Sequence, residues 1–140
     1  MYLLFPCHRY PDLCILAVPD DSQTPVGCVV GKVDDEKVVM DDVEVVCRTG
    51  YIGMLAVQQD FRRKGIGKAV VKRVLKRMME RGCTSVTLET EVSNTTAQKL
   101  YVNAFGFIRE QKLVRYYLNW GDAYLLRLWF PKKDDADQES

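Results

Sequence analysis

The residues best placed to do chemistry form a basic, glycine-containing run, Arg62-Arg63-Lys64-Gly65-Ile66-Gly67-Lys68. It follows a β-like stretch and opens an amphipathic one. A helix N-terminus carries four unpaired amide N–H groups and about half a positive charge. Glycines there let an anion approach the main chain, and flanking cations add to the field. Diphosphate binding is the natural inference; the plain alternative is a glycine turn with a solvated basic rim. Neither GxxxxGK[ST] nor GxGxxG occurs, so the two common nucleotide loops fit badly. Glu89, in Leu88-Glu89-Thr90-Glu91, is either a general base or a solvent-facing strand residue, and taken alone it reads as the latter. Tyr101 taken alone reads as core packing. Tyr116 and Tyr117, beside Arg115, read as ordinary strand aromatics. His8 has no evident partner and reads as structural or surface. The cysteines, at 7, 14, 28, 47 and 83, form no CxxC pair and have only His8 to join them. No metal site is expected, and the thiols read as reduced core residues of an intracellular protein.

Several elements must position these groups. Leu13–Val18, Val26–Val33, Val43–Cys47 and Tyr51–Val57 are apolar or β-branched runs bounded by Pro, Gly and Asp. They predict an antiparallel meander with a turn at Asp34-Asp35-Glu36 and an interruption at Asp41-Asp42. Apolar residues at 66, 69, 70, 71, 74, 75, 78 and 79, with charges between them, then predict an amphipathic helix ended by Gly82. Ser85–Val92 alternates, with Val86, Leu88 and Thr90 on one side and Thr87, Glu89 and Glu91 on the other. A second helix is predicted from the N-cap Asn94 to Gly106, with Ala97, Leu100, Tyr101 and Ala104 on one stripe. A closing hairpin is predicted from Leu113–Leu118 and Ala123–Phe130. The fold class is α/β (α+β): one mostly antiparallel mixed sheet with packed helices.

The chain has 140 residues, enough for one domain, expected over 1–131, with a disordered tail over 132–140. Twenty Lys and Arg against nineteen Asp and Glu leave a net charge of +1, which removes any whole-protein electrostatic case for nucleic acid or membrane. The cations Lys68, Lys72, Arg73, Lys76, Arg77 and Arg81 read as the solvated face of the first helix, so no direct DNA binding is expected. No run approaches the roughly 18 apolar residues of a membrane span, and Leu3-Leu4-Phe5 lacks the form of a signal peptide.

In combination the motifs say more. Arg62-x-x-Gly65-x-Gly67 after Met54-Leu55-Ala56-Val57, then Asn94-x-x-Ala97-x-x-x-Tyr101 and Gly106-Phe107, resemble the acetyl-CoA-binding core of the GNAT acetyltransferase superfamily. More narrowly, Gly50–Val57, Leu88–Glu91 and Arg115–Asn119 resemble the catalytic subunit of NatC-type N-terminal protein acetyltransferases. The resemblance implies that strands ending at Val57 and near Glu89 splay apart and admit the pantetheine arm of acetyl-CoA. It implies main-chain pairing at Leu55, Ala56 and Val57, and diphosphate on amides of Arg62, Arg63, Lys64, Gly65, Ile66, Gly67, Lys68 and Ala69. Asn94, with Ala97, would contact the arm, and Tyr101 would point at the thioester sulfur and ease thiolate expulsion with a proton. Glu89 would take a proton from the incoming amine, and Tyr51, Met54, Tyr116 and Tyr117 would border the peptide channel.

The implied activity is acetyl transfer to protein N-termini, expected to begin with Met and a large apolar residue, in the cytoplasm. Implied partners are nascent chains, NatC-type auxiliary subunits and the ribosome. An α-amine titrates near 7.7–8.0, so neutralising it at pH 7 costs only about 1 kcal/mol, against roughly 4.6 for lysine. One carboxylate suffices for that. The alternative is a CoA-binding module without catalysis. Family members open with a strand and helices, whereas here twelve residues precede Leu13. Leu13–Val18 is accordingly expected to be an uncovered edge strand prone to self-association. The Asp34–Arg48 segment has no assigned role.

Overall fold

The computed structural model describes residues 2–7, 10–114 and 121–131. Seven strands form a single sheet: β1 (Tyr2–Cys7), β2 (Tyr10–Pro19), β3 (Gly27–Met40), β4 (Val43–Val57), β5 (Ser85–Glu91), β6 (Ile108–Leu113) and β7 (Ala123–Trp129). Their spatial order is β1-β2-β3-β4-β5-β7-β6. Every neighbouring pair is antiparallel except β4 and β5, which run parallel. A parallel pair needs a crossover, and α1 (Ile66–Glu80) supplies it. After β5 comes one short α-turn, α2 (Thr95–Gln98), which widens into a π-helical turn over Lys99–Ala104.

The helical period of α1 puts Ile66, Val70, Val71, Val74, Leu75 and Met78 on its buried face. They pack with Ile15, Ala17, Val29, Ile52, Val86, Leu88, Phe107 and Leu126 in one apolar cluster. Each large side chain so buried contributes roughly 1.5–3 kcal/mol. Met78 lies over a trough of glycines: a Cβ at Gly31 would come within 2.7 Å of its Cε, and one at Gly50 within 2.5 Å of its Sδ. A side chain at either position would force the end of Met78 to move.

Three expectations are corrected. No turn occurs at Asp34–Glu36, because β3 runs on to Met40 and pairs with β4 throughout. The turn is the two-residue loop Asp41-Asp42, where both φ angles are positive (52° and 64°) and Met40 pairs with Val43, the geometry of a tight hairpin whose turn twists with its strands. The Leu13–Val18 run is not an edge: β1 covers it, with Leu3 opposite Val18 and Pro6 opposite Ile15. That removes the ground for self-association through it. The strand pairing with β7 is Ile108–Leu113, five residues before the expected start. Val114 lies beyond the strand end, and residues 115–118 of the expected strand, including Tyr116 and Tyr117, lie outside the described residues, as does His8.

Candidate active site

β4 and β5 are joined from Thr49–Ser85 to Ile52–Leu88 and no further. Beyond that point β4 stays with β3 through Val57, and β5 stays with β7 through Glu91. The sheet therefore has an opening between the main chains of 53–57 and 89–91. Its cause is local: Val30 pairs with Met54 and Gly31 with Ile52, leaving Gly53 as an extra residue on β4. Such a bulge bends its strand, and it falls immediately after the last residue that β4 shares with β5.

The N-terminus of α1 stands at this opening. Arg63 (φ 65°) and Gly65 (φ 80°) are both left-handed, and Gly65 caps the helix without any side-chain hydrogen bond to its first amides. The first helical bond runs from Ala69 N–H to the Gly65 carbonyl, so the amides of Ile66, Gly67 and Lys68 have no intrahelical partner. A Cβ at Gly67 would lie 3.8–3.9 Å from Leu55, Val57 and Leu100, which shows how closely β4, α1 and the π-turn converge. The Arg62 guanidinium donates to the Val57 carbonyl at 3.1 Å, tying the loop back to the strand end. Lys64 lies over the Phe61 ring at 5.2 Å. The Ile66 side chain is core, which leaves only its main chain at the helix mouth.

Along β5, Leu88 and Thr90 point into the α1 side and are buried, while Glu89 points to the opposite face and is exposed. There it lines a depression of about 340 Å³ with Lys32, Asp34, Thr49, Tyr51 and Thr87. Lys32 pairs with Asp34 at 3.3 Å and lies 5.5 Å from the Tyr51 ring centroid. Met54, half exposed, shares that face of β4. Sequence reasoning set Thr87 on the side of Glu89 without giving it a role, and it missed Lys32, Asp34 and Thr49, because a turn expected at Asp34 breaks the register that sets them beside Tyr51. The alternation Gly31-Lys32-Val33-Asp34 was the signal available.

Tyr101 is on the α1 side. It is 3% exposed and packs edge-on against Phe107, with ring centroids 5.4 Å apart. Burial pushes its hydroxyl up to about 12. Thr90 Oγ1, also buried, has no hydrogen-bond partner. Asn94 Oδ1 accepts from Ala97 N–H at 3.1 Å, so that oxygen and that amide serve as a helix cap. Glu89 and Tyr101 thus lie on opposite faces of the sheet and can act on one group only through the opening between β4 and β5.

The parallel pair thus parts beside a helix N-terminus whose first amides no side chain caps, with a buried tyrosine on the same side of the sheet. The chain matches the Acetyltransferase (GNAT) family over residues 1–107 and belongs to that family. Among its relatives is N-alpha-acetyltransferase 30 of Xenopus laevis, 46% identical over 122 residues, covering 87% of this chain and 41% of that protein. The protein of that name from Saccharomyces cerevisiae is 40% identical over 129 residues, covering 90% and 69%. A crystal structure of the NatC complex bound to Gag peptide and CoA superposes with a TM-score of 0.75 at 40% identity, covering 88% of this chain and 74% of that one. This chain spans less than half the length of the Xenopus relative.

Proposed function

We propose that this chain binds acetyl-CoA and transfers its acetyl group to the α-amine of protein N-termini, with the NatC-type preference for Met followed by a large apolar residue. The reading rests above all on the opening between β4 and β5, with Glu89 on one face and Tyr101 on the other. Its kinship with proteins named N-alpha-acetyltransferase 30 supports it, and the NatC structure makes auxiliary subunits reasonable partners.

The residues present suit the carrier. The free amides of Ile66, Gly67 and Lys68, in the field of the helix and of Arg63 and Lys68, suit a diphosphate. The open main chain of Leu55, Ala56 and Val57 suits an amide-bearing arm lying along β4, and Thr90 Oγ1 is a buried polar atom that such an arm can satisfy. When bound, acetyl-CoA supplies an activated acyl thioester. Glu89 takes the amine proton from the open face, where the depression beside Tyr51 and Met54 receives the peptide. Tyr101 faces the carrier side with a hydroxyl that stays protonated. A thiol titrates near 8.5, so full proton transfer from a hydroxyl held near 12 is uphill by about 4–5 kcal/mol. Tyr101 therefore serves as a hydrogen-bond donor to the departing sulfur, a smaller role than outright protonation.

Incubation of the protein with acetyl-CoA and a Met-Leu-initiated peptide is expected to add one acetyl group to the peptide N-terminus, read by mass. Thermal stabilisation by CoA without any acetyl transfer, alone and with NatC auxiliary subunits added, would leave a binding module and sink the enzymatic reading.

A further inference from the structure

We infer that Gln98 is a positioning residue that sets the distance between Tyr101 and the open end of β5; the inference rests on the function proposed above. Gln98 is a buried polar side chain, 7% exposed, at the point where α2 gives way to the π-helical turn. Its Nε2 donates to the carbonyls of Val92 at 2.8 Å and Glu91 at 3.2 Å, and its Oε1 accepts from Arg109 Nη2 at 3.2 Å. One amide thus joins the end of β5, the helical segment and β6. Glu91 is two residues past Glu89 on β5, and Tyr101 is three residues past Gln98 on the turn.

The arrangement is a spacer of fixed length. The Glu91 carbonyl has a second donor, Asn94 N–H at 2.9 Å, whereas the Val92 carbonyl has Gln98 as its recorded partner. Arg109 is itself oriented, with its guanidinium 5.6 Å from the Tyr124 ring centroid, and Tyr124 pairs with Thr90 across β5 and β7. The far end of the amide is anchored as well as the near one. A π-turn also offsets the residues after it from ordinary helical register, so Tyr101 has no regular helix to place it. A polar group buried among carbonyls stays only where its bonds are made, and these bonds are made to the strand that carries Glu89.

The test replaces Gln98 by Met, which keeps the length and apolar bulk of the side chain but neither donor nor acceptor. Displacement of a catalytic group by a fraction of an ångström costs about tenfold or more in turnover. Gln98→Met is therefore expected to lower kcat about tenfold with the KM for acetyl-CoA within about twofold of wild type. In a Tyr101→Phe background the same change is expected to add nothing, since its effect runs through the hydroxyl. Wild-type turnover in Gln98→Met, or an equal loss with and without Tyr101, overturns the inference while leaving the enzymatic reading intact. An absence of acetyl transfer by wild type overturns that reading instead. The position of Tyr101 is then read without catalysis by tyrosinate absorbance titration, with Tyr101→Phe as the blank. Gln98→Met is expected to shift the Tyr101 titration from the raised value that burial gives it in wild type, and an unmoved titration overturns the inference. Should Gln98→Met fail to fold, Gln98→Asn, whose shorter amide cannot span the same partners, takes the same assays with the same outcomes.

Discussion

Replacing Tyr101 by Phe removes one oxygen and nothing else from a ring that packs edge-on against Phe107 at 5.4 Å. Among the described residues the hydroxyl has no hydrogen-bond partner, so the change strands no acceptor, and stability at pH 8 is expected to move by about 0.5 kcal/mol or less. Catalysis is expected to suffer far more. Loss of one donor aimed at developing charge costs about 10²-fold in kcat. The same residue leaves a thermodynamic signature. Burial disfavours the phenolate and raises the hydroxyl from 10 to about 12 in the folded chain, whereas the unfolded chain ionises near 10. The folded protein therefore holds its proton where the unfolded one has lost it. The stability tied to Tyr101 is whole below pH 10 and falls as pH rises toward 12, by about 1.4 kcal/mol at pH 11. Every other group is common to the two proteins and cancels in the comparison. Urea unfolding at pH 8 and pH 11 should show wild type losing about 1.4 kcal/mol more than Tyr101→Phe, and acetyl transfer at pH 8 should show the 10²-fold deficit. Equal alkaline loss in both proteins would refute the burial argument. Turnover within about twofold of wild type would refute the donor role.

Two further predictions probe the opposite face and the helix mouth. Glu89→Gln keeps the shape of the depression but removes the base, so turnover at pH 7 should fall about 10²-fold. The residual rate should climb about tenfold per pH unit until the α-amine is neutral near 7.7–8.0; a pH profile parallel to wild type would rule Glu89 out as the base. Gly65→Ala forces a side chain into φ 80° where no atom lies within 4 Å, so its cost is backbone strain of about 1–2 kcal/mol, with displacement of the first amides of α1. CoA binding by calorimetry should weaken at least tenfold, whereas Gly82→Ala, equally strained at φ 85° but at the far end of α1, should lose similar stability and bind CoA as wild type does. Equal CoA affinity in the two variants would remove the diphosphate from the α1 mouth.

The elements most legible in the sequence were those whose pattern is carried by one side chain at a time. The 3.6-residue spacing from Ile66 to Met79 found α1, and alternation from Val86 to Glu91 assigned Glu89 to the face away from Leu88 and Thr90. What stayed hidden depends on partners distant in the chain. Asp34-Asp35-Glu36 has turn composition, yet it lies within a strand because β4 pairs with all three residues, and Arg48 reaches across to Asp35 at 2.7 Å and to the Arg81 carbonyl. The Arg48 guanidinium lowers the Asp35 carboxyl below its ordinary value, so these acids are part of a pinned hairpin base. The true turn, Asp41-Asp42, uses the tolerance of aspartate for left-handed backbone, a signal weaker than the glycine that usually marks such loops. The opposition of Glu89 and Tyr101 could not be read either, since it requires knowing that the second helical segment shares a face with α1.

That opposition follows from connectivity. A right-handed crossover from β4 to β5 commits α1 to one face of the sheet, and α1 must begin near the C-terminal ends of the parallel strands. Had β4 continued straight, Leu55 and Val57 would have gone on pairing with β5 and the two faces would be sealed from each other. The extra residue at Gly53 bends β4 away just past Ile52, while β7 holds β5 in place through Glu91. The result is a passage through a sheet that is otherwise continuous. Its α1 side is bordered by the first amides of α1 and by Tyr101, and its open side by Glu89. A charged carboxylate would be costly among the apolar residues of the α1 side, and a buried tyrosine would lose its raised pKa on the open one. On the function proposed above, the division of labour between base and hydrogen-bond donor is set by which side of the opening each residue faces, and exchanging the two residues is expected to disable both.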